Sequence, residues 1–206
     1  PCESACRRGK IDEPVSICSL KRVAADFAKK EYPKRGLSKK KTGKKKKVAI
    51  IGAGPSGLAA GNDLAVMGHD ITIFEALPMA GGMLSVGIPP YRLPWNKIDG
   101  AVDWVEKLGI NLKLKSPINS LDKFDKLVKK YDAVYIAAGA HKSMALEIPG
   151  EDLKGVVHGI TYMKDINLGK QKKVPSRVAV VGGGFTAIDC ARSSLRLGAK
   201  EVFIIY

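Results

Sequence analysis

The 206 residues carry a net charge of +15, with 45% hydrophobic, 27% charged and 6% aromatic side chains. That mixture suits a globular chain of one or two domains and excludes collagen-like, disulfide-dense and wholly disordered classes. No apolar run approaches the roughly 18 residues of a membrane-spanning helix.

The chain opens Pro1-Cys2 with no signal-peptide pattern, and the four cysteines at 2, 6, 18 and 190 form no disulfide framework. A reducing, cytoplasmic setting is expected. Leu20, Val23, Ala24 and Phe27 have helical spacing, so residues 20–32 read as a short helix closing an N-terminal segment (1–32). Residues 33–47 are rich in Pro, Gly, Ser and Lys and read as a basic linker. Val48–Ile51 then reads as a buried strand, Gly52–Gly57 as a turn, Leu58–Met67 as a helix and Ile71–Phe74 as a second strand. Together they make a βαβ unit of about 30 residues. Residues 76–96 read as an irregular loop, and Ile98 to Leu108 as a helix. Ile110, Leu112 and Leu114 alternate as in a strand, Leu121 to Tyr131 is helical, and Ala133–Ala137 is a strand. Residues 155–168 read as a helix and 169–177 as a second linker.

The opening pattern returns with strand Val178–Val181, glycine turn Gly182–Gly184, helix Ala187–Leu197 and strand Val202–Ile205. Gly52 and Gly182 are 130 residues apart, too far for a short tandem repeat. The fold class is α/β. A Rossmann-like, three-layer domain with a parallel sheet spans 48–168, and 169–206 opens a second dinucleotide-binding domain. Because Tyr206 directly follows an apolar strand, a longer parent polypeptide is expected.

Gly52-Ala53-Gly54-Pro55-Ser56-Gly57 fits G-x-G-x-x-G. The first glycine permits the tight turn, the second lets a pyrophosphate approach bare backbone, and the third lets helix and strand pack closely. The helix that follows directs its free N–H groups and positive dipole end at the diphosphate. Glu75 ends the second strand 23 residues after Gly52, the place of a ribose-binding acid. A carboxylate there repels a 2′-phosphate, so the unit should take FAD or NAD(H). Periodicity does not choose between these two.

The same turn with Phe74-Glu75, Gly81-Gly82-Met83-Leu84 and Gly87-Ile88-Pro89-Pro90-Tyr91-Arg92-Leu93-Pro94 resembles flavoproteins of the glutamate synthase small-subunit type. The N-terminal half of dihydropyrimidine dehydrogenase is similar. The resemblance covers the whole chain. It implies FAD in the first unit, contacted by Ala53, Ser56, Glu75, Gly82, Met83, Leu84 and Arg92, with Tyr131–Gly139 as the second signature of the FAD domain.

Gly182-Gly183-Gly184-Phe185-Thr186-Ala187 fits G-x-G-x-x-A and resembles the NADPH turn of that family. Phe185 departs from the polar residue often found there. The residue that would separate NADPH from NADH lies after Tyr206. Cys2 and Cys6, with Glu13-Pro14-Val15-Ser16-Ile17, resemble the end of the family's iron–sulfur segment, which implies half of a [4Fe–4S] ligand set. Cys18 and Cys190 read as packing residues.

Lys39–Lys41 and Lys44–Lys47 lack interleaved aromatics and a recognition helix, so no specific nucleic-acid partner is expected. His69, His141 and His158 form no metal pair, and no nucleophile elbow or P-loop lysine is present. The expected function is a flavin-dependent NAD(P)H oxidoreductase module with an electron-acceptor subunit or domain as partner. The alternatives are a related flavoprotein with another acceptor, a flavin-free NAD enzyme and a basic binding module.

Overall fold

Apolar, β-branched runs pair into two parallel sheets, and each sheet is crossed by the helix that follows a glycine turn. The computed structural model describes residues 2–31 and 43–206; the lysines at 39–41 and most of the expected linker lie outside them. The chain divides into two compact units, Pro1–Ser38 and Lys39–Tyr206.

In the first unit a 3₁₀ turn, Arg7–Lys10, precedes helix α1, Ile17–Glu31. The helix starts three residues before the expected position. Its apolar positions Leu20, Val23 and Phe27 are exposed. Cys18, expected to pack, is exposed as well, so that reading is corrected. It lies in the first turn of α1, where its amide donates to the Glu3 carboxylate at 3.0 Å.

The second unit begins with β1 (Lys47–Ile51), α2 (Pro55–Val66) and β2 (Asp70–Phe74). A one-turn helix α3 (Met83–Val86), α4 (Trp95–Lys107), β3 (Asn111–Lys113), α5 (Leu121–Lys130) and β4 (Ala133–Ile136) follow. The four strands are parallel in the order β3-β2-β1-β4. The order doubles back between β3 and β4. With right-handed crossovers, α2 and α4 therefore share one face and α5 takes the other. Val48 and Ile50 of β1 and Ile71 and Ile73 of β2 meet Leu58 and Ala65 of α2 and Val105 and Leu108 of α4 in the core. Helix α5 is delimited by its own sequence: Ser120 accepts from the Lys123 amide at the N-cap, Asp122 lies in the first turn, and Lys129 and Lys130 lie in the last.

Helix α6 (Gly159–Asn167) begins later than the expected residue 155, because Gly155 adopts φ +100°. It packs on α7 (Phe185–Arg196), which joins β5 (Arg177–Val181) to β6 (Glu201–Ile205) in a two-stranded parallel sheet. Cys190 is buried in α7, as expected, and burial pushes its thiol up to about 11.

Candidate functional site

β1 is flanked by β2 on one side and β4 on the other, so its carboxyl end is the point where the strand order reverses. Open α/β sheets bind ligands in the crevice there. The chain leaves β1 at Gly52, whose amide donates to Phe74 O at 2.8 Å, while the Ala137 amide donates to Ile51 O at 2.8 Å. Gly52 has φ +108°, and a Cβ on it would collide with Ala137 O. A Cβ on Gly57 would collide with Gly52 O, so α2 rests directly on the turn. Gly54 is the N-cap in extended conformation with no capping side chain, and Pro55 occupies the first helical position, where its missing N–H costs nothing. The backbone amides that open α2 thus remain available to an anion.

Glu75 is buried at the end of β2. Its Oε2 accepts the Ala53 amide at 2.7 Å and its Oε1 accepts the Leu77 amide at 2.8 Å. The expected ribose acid therefore also clamps the turn, and each oxygen keeps a second lone pair for a ligand hydroxyl. The Gly81 amide donates to Ala53 O at 2.8 Å, and a Cβ on Gly82 would lie 2.9 Å from Gly54 Cα. Gly82 is thereby drawn against the first turn, and Met83 and Leu84 follow it in α3. Gly139, at φ +68°, follows Ala137 at the same crevice. Ser56 shares a hydrogen bond of 2.9 Å with the Tyr135 hydroxyl, a partner on β4 that sequence reasoning missed.

Arg92 does not join this group. Its Nη1 lies 2.5 Å from Asp189 Oδ2 on α7, which raises the guanidinium pKa further, and its Cζ sits 5.4 Å from the Phe185 ring centroid. Asp189 is buried. No local pattern links it to a loop 97 residues away.

The second turn repeats the first in backbone terms. Gly182 has φ +114° and donates to Ile205 O at 2.7 Å, and Gly184 caps α7 in the same extended conformation as Gly54. Phe185 projects into solvent at 81% exposure, Thr186 follows it, and Ala187 is buried. A groove of about 230 Å³ between α4 and β3, lined by Trp95, Ile98, Val102 and Leu112, involves none of the expected site residues.

In the N-terminal unit Cys2 is exposed and Cys6 caps the 3₁₀ turn. Hydrogen bonds from the backbone at Val15, Arg8 and Gly9 hold the Cys6 thiol below its ordinary value. Such bonds favour the thiolate that ligates metal. Among the described residues no three His, Cys, Asp or Glu side chains converge as a metal site.

Residues 46–206 match the family described as pyridine nucleotide-disulphide oxidoreductase. The chain belongs to that family. Among its relatives are the beta subunit of an NADP(+)-dependent formate dehydrogenase from Moorella thermoacetica, 44% identical over all of this chain and 32% of its own length, and the beta subunit of an NADPH-Fe(3+) oxidoreductase from Geobacter sulfurreducens, 41% identical over all of this chain and 31% of its own. The glutamate synthase [NADPH] small chain of Bacillus subtilis is 34% identical over 98% of this chain and 43% of its own. The chain thus spans about a third of the first two relatives. Among solved structures, FprA from Mycobacterium tuberculosis in complex with NADPH superposes with a TM-score of 0.65 at 25% identity, over 78% of this chain and 43% of that one. The family's α/β fold is the one seen here. No described helix is long and apolar enough to cross a membrane.

Proposed function

We propose that this chain is the electron-input module of a cytoplasmic flavin-dependent NADPH oxidoreductase, with residues 48–168 binding FAD and 169–206 beginning the NADPH domain. The carrying observation is the bare-backbone cradle at Gly52–Gly57, too tight for a Cβ at either end and closed by a buried carboxylate. Its amides suit a diphosphate, and the spare lone pairs of Glu75 suit ribose hydroxyls. Gly52, Ala53, Gly54, Pro55, Ser56 and Gly57, with Glu75, Gly82, Met83, Leu84 and Gly139, would hold FAD. Gly182, Gly184, Phe185, Thr186 and Ala187 would hold the nicotinamide nucleotide. A flavin held there would supply hydride acceptance from a dihydronicotinamide and release of the electrons one at a time.

Cys2 and Cys6 would supply two of the four thiolates of a [4Fe–4S] cluster. The amide hydrogen bonds around Cys6 fit that role. The names of the relatives agree on NADP(H) and differ in the other reactant, an electron donor in the case of formate and an acceptor in the case of Fe(3+), so the redox partner opposite NADP(H) is the variable part. The partner is an electron-accepting subunit or domain.

The test is the absorption spectrum of the full-length protein purified without denaturant, before and after anaerobic NADPH. Flavin bands that bleach support the reading. A protein that stays colourless with excess FAD refutes it, and NAD(H) binding without flavin would favour a flavin-free dehydrogenase.

A further inference from the structure

We propose that Asp189 is a positioning residue that locks the Pro89–Arg92 loop onto α7 and so sets the two glycine turns in register for hydride transfer. This rests on the NADPH-to-flavin reading above. The loop is tied at its start to the first turn, because it leaves α3, whose cap Gly82 lies against Gly54. Pro89 is fully buried, and its carbonyl accepts the Arg92 and Leu93 amides at 2.9 and 3.1 Å, which curls the loop tightly. The side-chain amide of Asn167 on α6 donates to Ile88 O at 3.1 Å.

The other end of the loop is gripped by α7. The Arg192 and Arg196 guanidinium groups both lie against the Tyr91 ring, at 4.9 and 3.9 Å from its centroid, and its hydroxyl reaches Ser193 Oγ at 3.3 Å. Arg92 then bridges two points on α7: the Asp189 carboxylate and the ring of Phe185, one helical turn earlier. Phe185 is the first residue of α7, at the second turn itself.

Asp189 has a side chain only 5% exposed, and its Oδ1 has no hydrogen-bond partner. The buried carboxylate is therefore compensated chiefly by Arg92, and loss of that partner would leave it buried and unpaired. A guanidinium committed in this way acts on the flavin side through the loop it belongs to. Hydride transfer tolerates little misplacement, since an error of about 1 Å can cost about a hundredfold in rate.

The test uses the full-length, FAD-loaded protein and the variants Asp189→Asn, Arg92→Lys and their combination, with flavin reduction by NADPH followed by stopped-flow. Each single variant should slow the limiting rate by about ten- to a hundredfold while FAD content and the half-saturating NADPH concentration stay near wild type. The double variant should be no slower than the slower single variant, because both substitutions act on one contact. Losses that multiply in the double variant overturn the proposal. So does a loss of FAD in Arg92→Lys that parallels the loss of rate, which would make Arg92 a flavin contact. If Asp189→Asn does not fold, the partly exposed Arg92 still allows Arg92→Lys to decide on rate against FAD content. A wild-type protein that NADPH does not reduce removes the functional reading and this proposal with it. Normal reduction in wild type and variants alike removes this proposal alone.

Discussion

The two glycine turns have nearly the same backbone and very different surroundings. Gly52 and Gly182 have φ +108° and +114°, both amides donate to the last strand residue before the motif's partner loop, and Gly54 and Gly184 cap their helices in the same conformation. Around the first turn the chain is crowded. The Ala137 carbonyl presses on Gly52, α2 presses on the turn through Gly57, and Glu75 holds Ala53. Around the second, a Cβ on Gly182 would meet only Ala187 Cβ at 3.7 Å, and one on Gly184 would meet nothing within 4 Å. The third motif position carries a methyl group there already, as Ala187. At the third motif position, then, the first turn excludes a methyl group and the second carries one.

The strongest way to break this contrast is to exchange the third-position residues. Gly57→Ala should destabilise the fold by about 1–3 kcal/mol or more, because the new methyl meets a carbonyl oxygen and not a movable side chain. Ala187→Gly should cost no more than about 1 kcal/mol, the helix-propensity difference. Urea unfolding of both variants measures this, and similar losses would dissolve the distinction.

A smaller effect separates the opposite ends of the two sheets. Asp132, just before β4, accepts the Lys47 amide at 2.8 Å and Lys46 Nζ at 3.1 Å, and these bonds hold its carboxyl below the ordinary carboxylate value. A depressed folded-state pKa adds stability that is present above the unfolded value near 4 and is lost as the pH falls through the folded value. Wild type should therefore melt above Asp132→Asn at pH 7, with the gap closing under acid. A gap that stays constant down to pH 2 would contradict the assignment.

The second sheet has at the same place the exposed ion pair Arg177–Glu201, at 2.9 Å across β5 and β6. Glu201→Gln should change stability by less than about 1 kcal/mol, and by less still in high salt. Thermal melts at two ionic strengths check this smallest effect.

Strands β1, β2, β4, β5 and β6 and both turns were legible in the sequence because their signals are local: apolar runs ending in glycine. Helix α3 was not, since four residues inside a Gly- and Pro-rich loop have no periodicity to read. The apolar spacing of α1 read correctly as helix while Cys18 beside it read wrongly as a packing residue, because spacing reports a face and not what covers it. Glu75 was found from its distance to Gly52, but its grip on Ala53 depends on how two strand ends meet. The Ser56–Tyr135 and Arg92–Asp189 contacts join residues 79 and 97 positions apart, and nothing near either partner announces the other.

The strand order also bears on how the chain is made. β1 can pair with β2 as soon as residue 74 has emerged, but its other edge waits for β4, which begins at Ala133. Throughout that interval of synthesis, Val48-Ala49-Ile50-Ile51 presents an unpaired, apolar margin to whatever else the ribosome is surrounded by. A strand that ends inside the sheet thus spends part of synthesis at an edge, where a chaperone would shield it until β4 arrives.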